Sequence, residues 1–312
     1  MKTGHFHGEQ TVIIENDYFQ VECLAVAGPR IVRLIPKWMG ENLFAETPDI
    51  IRNTPNGVYH FYGGHRLSVA PETVAQSYIP DNDGLTVDEK TSGVRLRGAV
   101  EGMSHIRKTM SIQLGSSGPF VLVKHTLENH GNKTVKLSPW AVTMMRPGGV
   151  GVLPQQSKLA DSDGLQPNRH FSLWPYSRWS DKRLRFGEEF VAIKAGAPRE
   201  GVKIGYFNPH GWMGYLFDDV FFVKRFGVRG DDEYPDLGCN SEAFSNHRVV
   251  ELQSLGSVAE LAPKQSVIHT ETWEVYKEKE IPKDKFGERS IRGRLNNNTK
   301  GWSILGRMDI SV

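Results

Sequence analysis

The sequence predicts an all-β fold, a sandwich or a barrel. Three observations carry this. Short apolar runs alternate with a period of two, as half-buried strands require. Turn residues punctuate those runs, in a chain of 312 residues with 32 glycines and 17 prolines. No stretch keeps a 3.6-residue apolar period over three turns, so long amphipathic helices are not expected.

The runs follow in order. Thr11–Glu15 reads as a strand ending at the turn Asn16-Asp17, and Phe19–Leu24 alternates strictly. Gly28-Pro29 interrupts, and Arg30–Ile35 resumes. Leu85–Asp88, Val94–Ala99, His105–Leu114 and Phe120–Glu128 follow, the last two joined by Gly115-Ser116-Ser117-Gly118, a hairpin turn. Thr134–Met145, Glu189–Lys194, Val202–Phe207, Trp212–Phe217, Val220–Arg225, Arg248–Leu255 and Val267–Tyr276 complete the strands. Pro71–Gln76 suits one helical turn. Gly148–Arg185 is the least strand-like region, and it reads as loops over one face. One domain is expected over 1–282, followed by a basic extension, 283–312. Seven Lys or Arg face three acids in that extension, which makes it +4 and leaves the rest −2.

A net charge of +2 is too small to call for nucleic acid. No apolar run approaches a membrane span, and no apolar leader follows Met1, so a cytoplasmic protein is expected. Two cysteines, Cys23 and Cys239, make no disulfide framework and read as buried thiols. The histidines lack metal-ligand spacing, and no phosphate loop or nucleophile elbow appears. No cofactor or metal is expected.

Four segments could carry chemistry. Tyr62-Gly63-Gly64-His65-Arg66-Leu67 sets an imidazole beside a guanidinium after two glycines that permit a sharp turn or a close approach. The pair is expected at a strand end. Tyr234–Phe244 passes through a constrained turn and brings Glu242 into apolar surroundings, where a carboxyl's pKa rises unless a cation faces it. Lys203 sits inside a strand and points either into a cleft or to water. Trp174–Arg183 packs aromatics (Trp174, Trp179) beside Asp181 and Arg183, a mixture suited to the apolar faces and hydroxyls of sugars.

Together these segments resemble a mainly bacterial group within the galactose-mutarotase-like superfamily, whose better-known members are aldose 1-epimerases. The matching runs include Gly28–Ile31, Glu41–Phe44, Tyr62–Glu72, Pro139–Thr143, Pro147–Gly149, Trp174–Leu184, Lys203–Gly205, Tyr234–Phe244, Glu251–Leu255 and His269–Trp273. They span roughly residues 10 to 277. The resemblance implies a large β-supersandwich with a cleft for a sugar or sugar acid across one sheet. It implies general acid–base exchange of anomers, with Glu242 as the base and Arg66 on the substrate. Mutarotases carry their histidine in a segment matching Ser138–Thr143, and none stands there. His65 is the first substitute expected as acid, then His125 and His105; Lys203 could polarise an oxygen. A non-catalytic sugar-binding protein, or a lyase or other isomerase holding a sugar acid through Arg66, Lys203 and Arg183, are the competing readings.

Overall fold

Period-two alternation becomes two antiparallel sheets in the computed structural model, which describes residues 1–196 and 199–282 together with Ile291 and Leu295. The first sheet runs, in spatial order, through Lys2–Phe6, Glu9–Glu15, Phe19–Leu24, Arg30–Pro36, Gly57–Ala70, Val135–Met145, Val250–Leu255, Ser241–Ser245, Val202–Tyr206 and Ser172–Leu173. Glu46–Thr54 pairs with Gly57–Ala70, and Ala259–Leu261 with Val135–Met145. The second runs through Leu184–Phe186, Phe190–Lys194, Val150–Pro154, Trp212–Phe217, Val220–Phe226, Ser266–Lys277, Phe120–Asn129, Ile106–Leu114, Gly93–Val100 and Thr86–Lys90. The predicted hairpin forms, and along Ile106–Leu114 every second residue is buried.

The main core lies between the sheets. Leu67, Ala243 and Leu252 of the first pack with Met110, Val123, Phe222 and Trp273 of the second. A satellite cluster of Ala45, Ala70, Trp140, Val142, Met144, Val249 and Leu255 covers the other face of the first sheet. The central strands of that sheet are therefore buried on both faces, and polar residues on them must find partners.

Short helical turns stand at Val74–Ser77, Pro235–Gly238 and Glu278–Glu280. Gly148–Arg185 departs from expectation at Val150–Pro154, a fully buried strand inside the second sheet. Its run Val-Gly-Val-Leu-Pro has no polar alternation, because both of its faces are covered. The two cysteines are free and buried, as expected. Most of the 283–312 extension lies outside the described residues. Ile291 and Leu295 are buried against Val150, Phe190, Trp212 and Phe221. No helix among the described residues is long and apolar enough to cross a membrane.

Candidate functional site

The glycine pair acts as anticipated, but not at a strand end. Gly57–Ala70 is one continuous strand that bends at Tyr62, Gly63 and Gly64, where φ is +57°, +92° and +64°. A Cβ on Gly63 would lie 2.0 Å from the Ala45 carbonyl oxygen, and one on Gly64 would lie 2.0 Å from that of Ile31. The bend interrupts the alternation. Phe61 and Arg66, an odd number of residues apart, consequently open onto the same cleft.

Register then assembles a polar floor across four further strands. Arg66 lies opposite Val142, Val142 opposite Gln253, Gln253 opposite Glu242, and Glu242 opposite Gly205. Two residues along, Met144, Glu251, Phe244 and Lys203 form a parallel row. Side chains in such rows share a face. Above them is a cleft of about 390 Å³ walled by Ile51, Phe61, Tyr78, Trp140, Tyr176 and Phe244. Arg52, Arg66, Glu72, Lys203 and Glu251 also line it.

Lys203 is the hub. Its side chain is 2% exposed, and its Nζ lies 2.7 Å from Glu242 Oε2 and 3.3 Å from Glu72 Oε2. It also sits 4.0 Å from the centre of the Trp174 ring and 4.9 Å from that of Trp140. Burial opposes its charge, but Glu242 and Glu72 outweigh burial and raise its pKa. Glu72 accepts a 2.5 Å hydrogen bond from the Tyr78 hydroxyl. Its pKa is lowered: burial pushes up, and Lys203 and Tyr78 pull down.

Glu242 is wholly buried behind Lys203, and among the described residues neither carboxyl oxygen has a hydrogen-bond partner of normal geometry. Its side chain lies over Gly205, where a Cβ would come within 2.9 Å of Glu242 Cγ. Burial pushes its pKa up to about 8; Lys203 opposes this and Asp236 adds to it. The rise expected from the sequence thus occurs even though a cation faces the group. Across the floor, Glu251 accepts a 2.6 Å hydrogen bond from Gln253, which accepts from Trp140 Nε1 at 3.1 Å. Arg66 Nη2 stands 3.7 Å from Glu251.

The histidines are a correction. His65 and His125 are fully buried between the sheets, and no imidazole stands among the described cleft-lining residues. Neighbours on a strand face opposite ways, so placing Arg66 in the cleft turns His65 inward. His65 Nε2 lies 2.7 Å from His125 Nε2, and its Nδ1 lies 2.9 Å from Thr143 Oγ1. His125 Nδ1 donates to the His269 carbonyl at 3.0 Å. That donation makes His125 Nε2 an acceptor, so His65 Nε2 carries the proton and His65 Nδ1 accepts from Thr143. Lys224 donates to Thr143 at 3.1 Å and pairs with Glu271 at 2.6 Å. Ser254 at 2.5 Å and Trp273 at 2.8 Å complete the Glu271 carboxylate. Burial holds the pKa of His65 and of His125 below the usual histidine range.

His65, His125 and Glu271 place donor atoms within 4.8 Å of one another, the one such set found among the described residues. They do not suit a metal ion. The Lys224 ammonium already balances Glu271, and a dication beside it in a sealed interior would meet strong repulsion.

Other expected residues sit apart from the cleft. Asp181 pairs with Arg183 at 2.7 Å, and Arg183 donates to the carbonyls of Glu200 at 2.7 Å and Ser245 at 3.3 Å. This pair ties the aromatic loop to the first sheet. Trp179 is exposed beside Phe186, whereas Trp174 reaches the site through Lys203. His105 occupies a turn, with φ at +56°. Sequence reasoning missed Arg52, Glu72, Tyr78, Trp140, Glu251 and Gln253 as site residues. The available signal was polar alternation, Glu251 then Gln253, inside a strand with apolar neighbours.

No family model matches this sequence, and no curated protein does. Solved structures do match. A TPR-domain containing protein from Parabacteroides distasonis aligns at 13% identity over 92% of this chain and 51% of its own, with a TM-score of 0.59. This chain therefore spans about half the length of that protein. A candidate aldose 1-epimerase from Escherichia coli K12 aligns at 12% identity over 86% of this chain and 99% of its own, with a TM-score of 0.51. A candidate mutarotase from Salmonella typhimurium aligns at 13% identity, over 88% and 93% respectively, with a TM-score of 0.52. These likenesses show the fold: a galactose-mutarotase-like β-sandwich.

Proposed function

We propose that this protein is a carbohydrate-active enzyme of the aldose 1-epimerase type, exchanging the anomers of a sugar bound over the Arg66–Glu251–Lys203 floor. One observation carries the reading. A carboxyl whose pKa stands near 8, Glu242, backs an ammonium, Lys203, that itself lines the cleft. Aromatic walls suit the apolar faces of a sugar ring.

Anomer exchange needs a proton taken from the anomeric hydroxyl and one delivered to the ring oxygen. Glu251 accepts the first. Lys203 delivers the second and is reprotonated by Glu242. Glu251 and Lys203 stand two strands apart, roughly 10 Å, so a ring fits between them. The ring opens, turns about the bond next to the aldehyde, and recloses as the roles reverse. Glu242 thus serves as a proton donor rather than the base that the resemblance implies, because burial keeps it protonated at neutral pH.

Exchange-NMR with a panel of aldoses tests this. Glu242→Gln and Glu251→Gln should each slow catalysed exchange by roughly a hundredfold or more. No acceleration by the unaltered protein for any sugar refutes the reading. A second reading, non-catalytic sugar binding, draws on the absence of any imidazole among the described cleft-lining residues. Calorimetric binding without faster exchange selects it.

A further inference from the structure

We infer that the ligand of this cleft is a sugar bearing a carboxylate, held at the end formed by Arg52 and Arg66. The inference rests on the carbohydrate reading above and narrows it to a substrate class. Both arginines line the cleft. The Arg52 guanidinium lies 4.2 Å from the centre of the Tyr78 ring, and that of Arg66 lies 5.2 Å from the centre of the Phe61 ring. The two rings touch, with centroids 5.8 Å apart. Two like charges are thus seated on one aromatic platform.

Neither has a bonded counter-ion. The Arg52 side chain is exposed and is held by no hydrogen bond or ion pair to a described residue, although its charge helps to lower the Glu72 pKa. Arg66 is 3% exposed, yet its Nε and Nη1 have no hydrogen-bond partner among the described residues, and its nearest described carboxylate stays at 3.7 Å. Buried guanidinium donors left unpaired are costly, and a cleft that retains them suits a ligand that supplies the acceptor. A planar carboxylate matches the guanidinium fork.

The charge count selects a monoanion. Three cations line the cleft, Arg52, Arg66 and Lys203, against two carboxylates, Glu72 and Glu251. With the buried Glu242 carboxyl behind Lys203 kept protonated by its burial, one positive charge is left over. A carboxylate neutralises it, whereas a dianionic phosphate ester overshoots in a site that already holds two acids.

Calorimetry with the full chain tests this. The probes are D-glucuronate, D-galacturonate, the matched neutral hexoses and glucose 6-phosphate. A uronate should bind about tenfold or more tightly than its hexose. Arg52→Ala, at an exposed position where folding is not at stake, should remove about tenfold of uronate affinity and leave the hexose within about twofold. Equal or tighter hexose binding, tighter phosphate-ester binding, or an unaffected Arg52→Ala variant overturns the carboxylate inference and leaves the carbohydrate reading standing. Failure of every probe to bind overturns both.

Discussion

Two buried lysine–glutamate pairs, nearly identical in length, sit on opposite faces of the first sheet. Lys224 meets Glu271 at 2.6 Å between the sheets, and Lys203 meets Glu242 at 2.7 Å beneath the cleft. Their surroundings differ. Glu271 also takes hydrogen bonds from Ser254 and Trp273. Burial works to raise its pKa, but Lys224 and three nearby imidazoles hold it below the usual range. Glu242 has no such hydrogen bonds, and it shares its ammonium with Glu72. A completed network rigidifies; an incomplete one leaves a group whose proton can move. The inner pair ties the sheets together, and the outer pair is the one the proposed reaction would use.

The comparison breaks most visibly in stability. Glu271→Gln leaves the Lys224 charge uncompensated in the interior, and it should cost about 3–5 kcal/mol in urea unfolding. At pH 4.5 or below, where Glu242 is protonated in the folded chain, Glu242→Gln leaves Lys203 paired with Glu72, and it should change stability by about 1 kcal/mol or less. Equal losses would abolish the distinction between the pairs.

A smaller effect is the pH dependence of stability, where the two regions have opposite signs. The folded state keeps a proton on Glu242 up to about 8, while an ordinary glutamate releases it near 4.5. That contribution to stability is complete below 4.5 and disappears as pH rises through about 8. His269 runs the other way: burial lowers its pKa from 6.5 to about 3, so its contribution is present above 6.5 and is lost as pH falls toward 3. Between pH 6.5 and 8, Glu242→Gln should flatten the downward slope while the acid-side loss remains. A variant that keeps the slope would assign it to another group.

Most of the strands were legible because alternation and turns are local signals. Phe19–Leu24 is a strand over the same residues that the sequence suggests, and Arg30–Ile35 falls one residue short. Val150–Pro154 was not legible, since a strand covered on both sides loses its alternation. The site was half legible. Arg66 and Lys203 line one hollow and Glu242 lies buried behind Lys203, outside that lining; each stood out as a charge in apolar surroundings. The facing of His65 was hidden, because Gly63 and Gly64 reset the phase of alternation in a way set by close approach to Ala45 and Ile31. Arg52 and Glu72 were hidden too. They reach the cleft from the Glu46–Thr54 strand and from the turn after Ala70, and their place depends on tertiary packing alone.

The proposed reaction requires that Glu242 hold an exchangeable proton near neutrality, whereas Glu271 has none to give. Carbon-13 NMR titration of side-chain carboxyls, assigned through Glu242→Gln, measures it directly. The expected result is a Glu242 midpoint near 8 and a Glu271 signal that stays ionised throughout the neutral range. A Glu242 carboxyl that titrates at or below the ordinary glutamate value of 4.5 would contradict it.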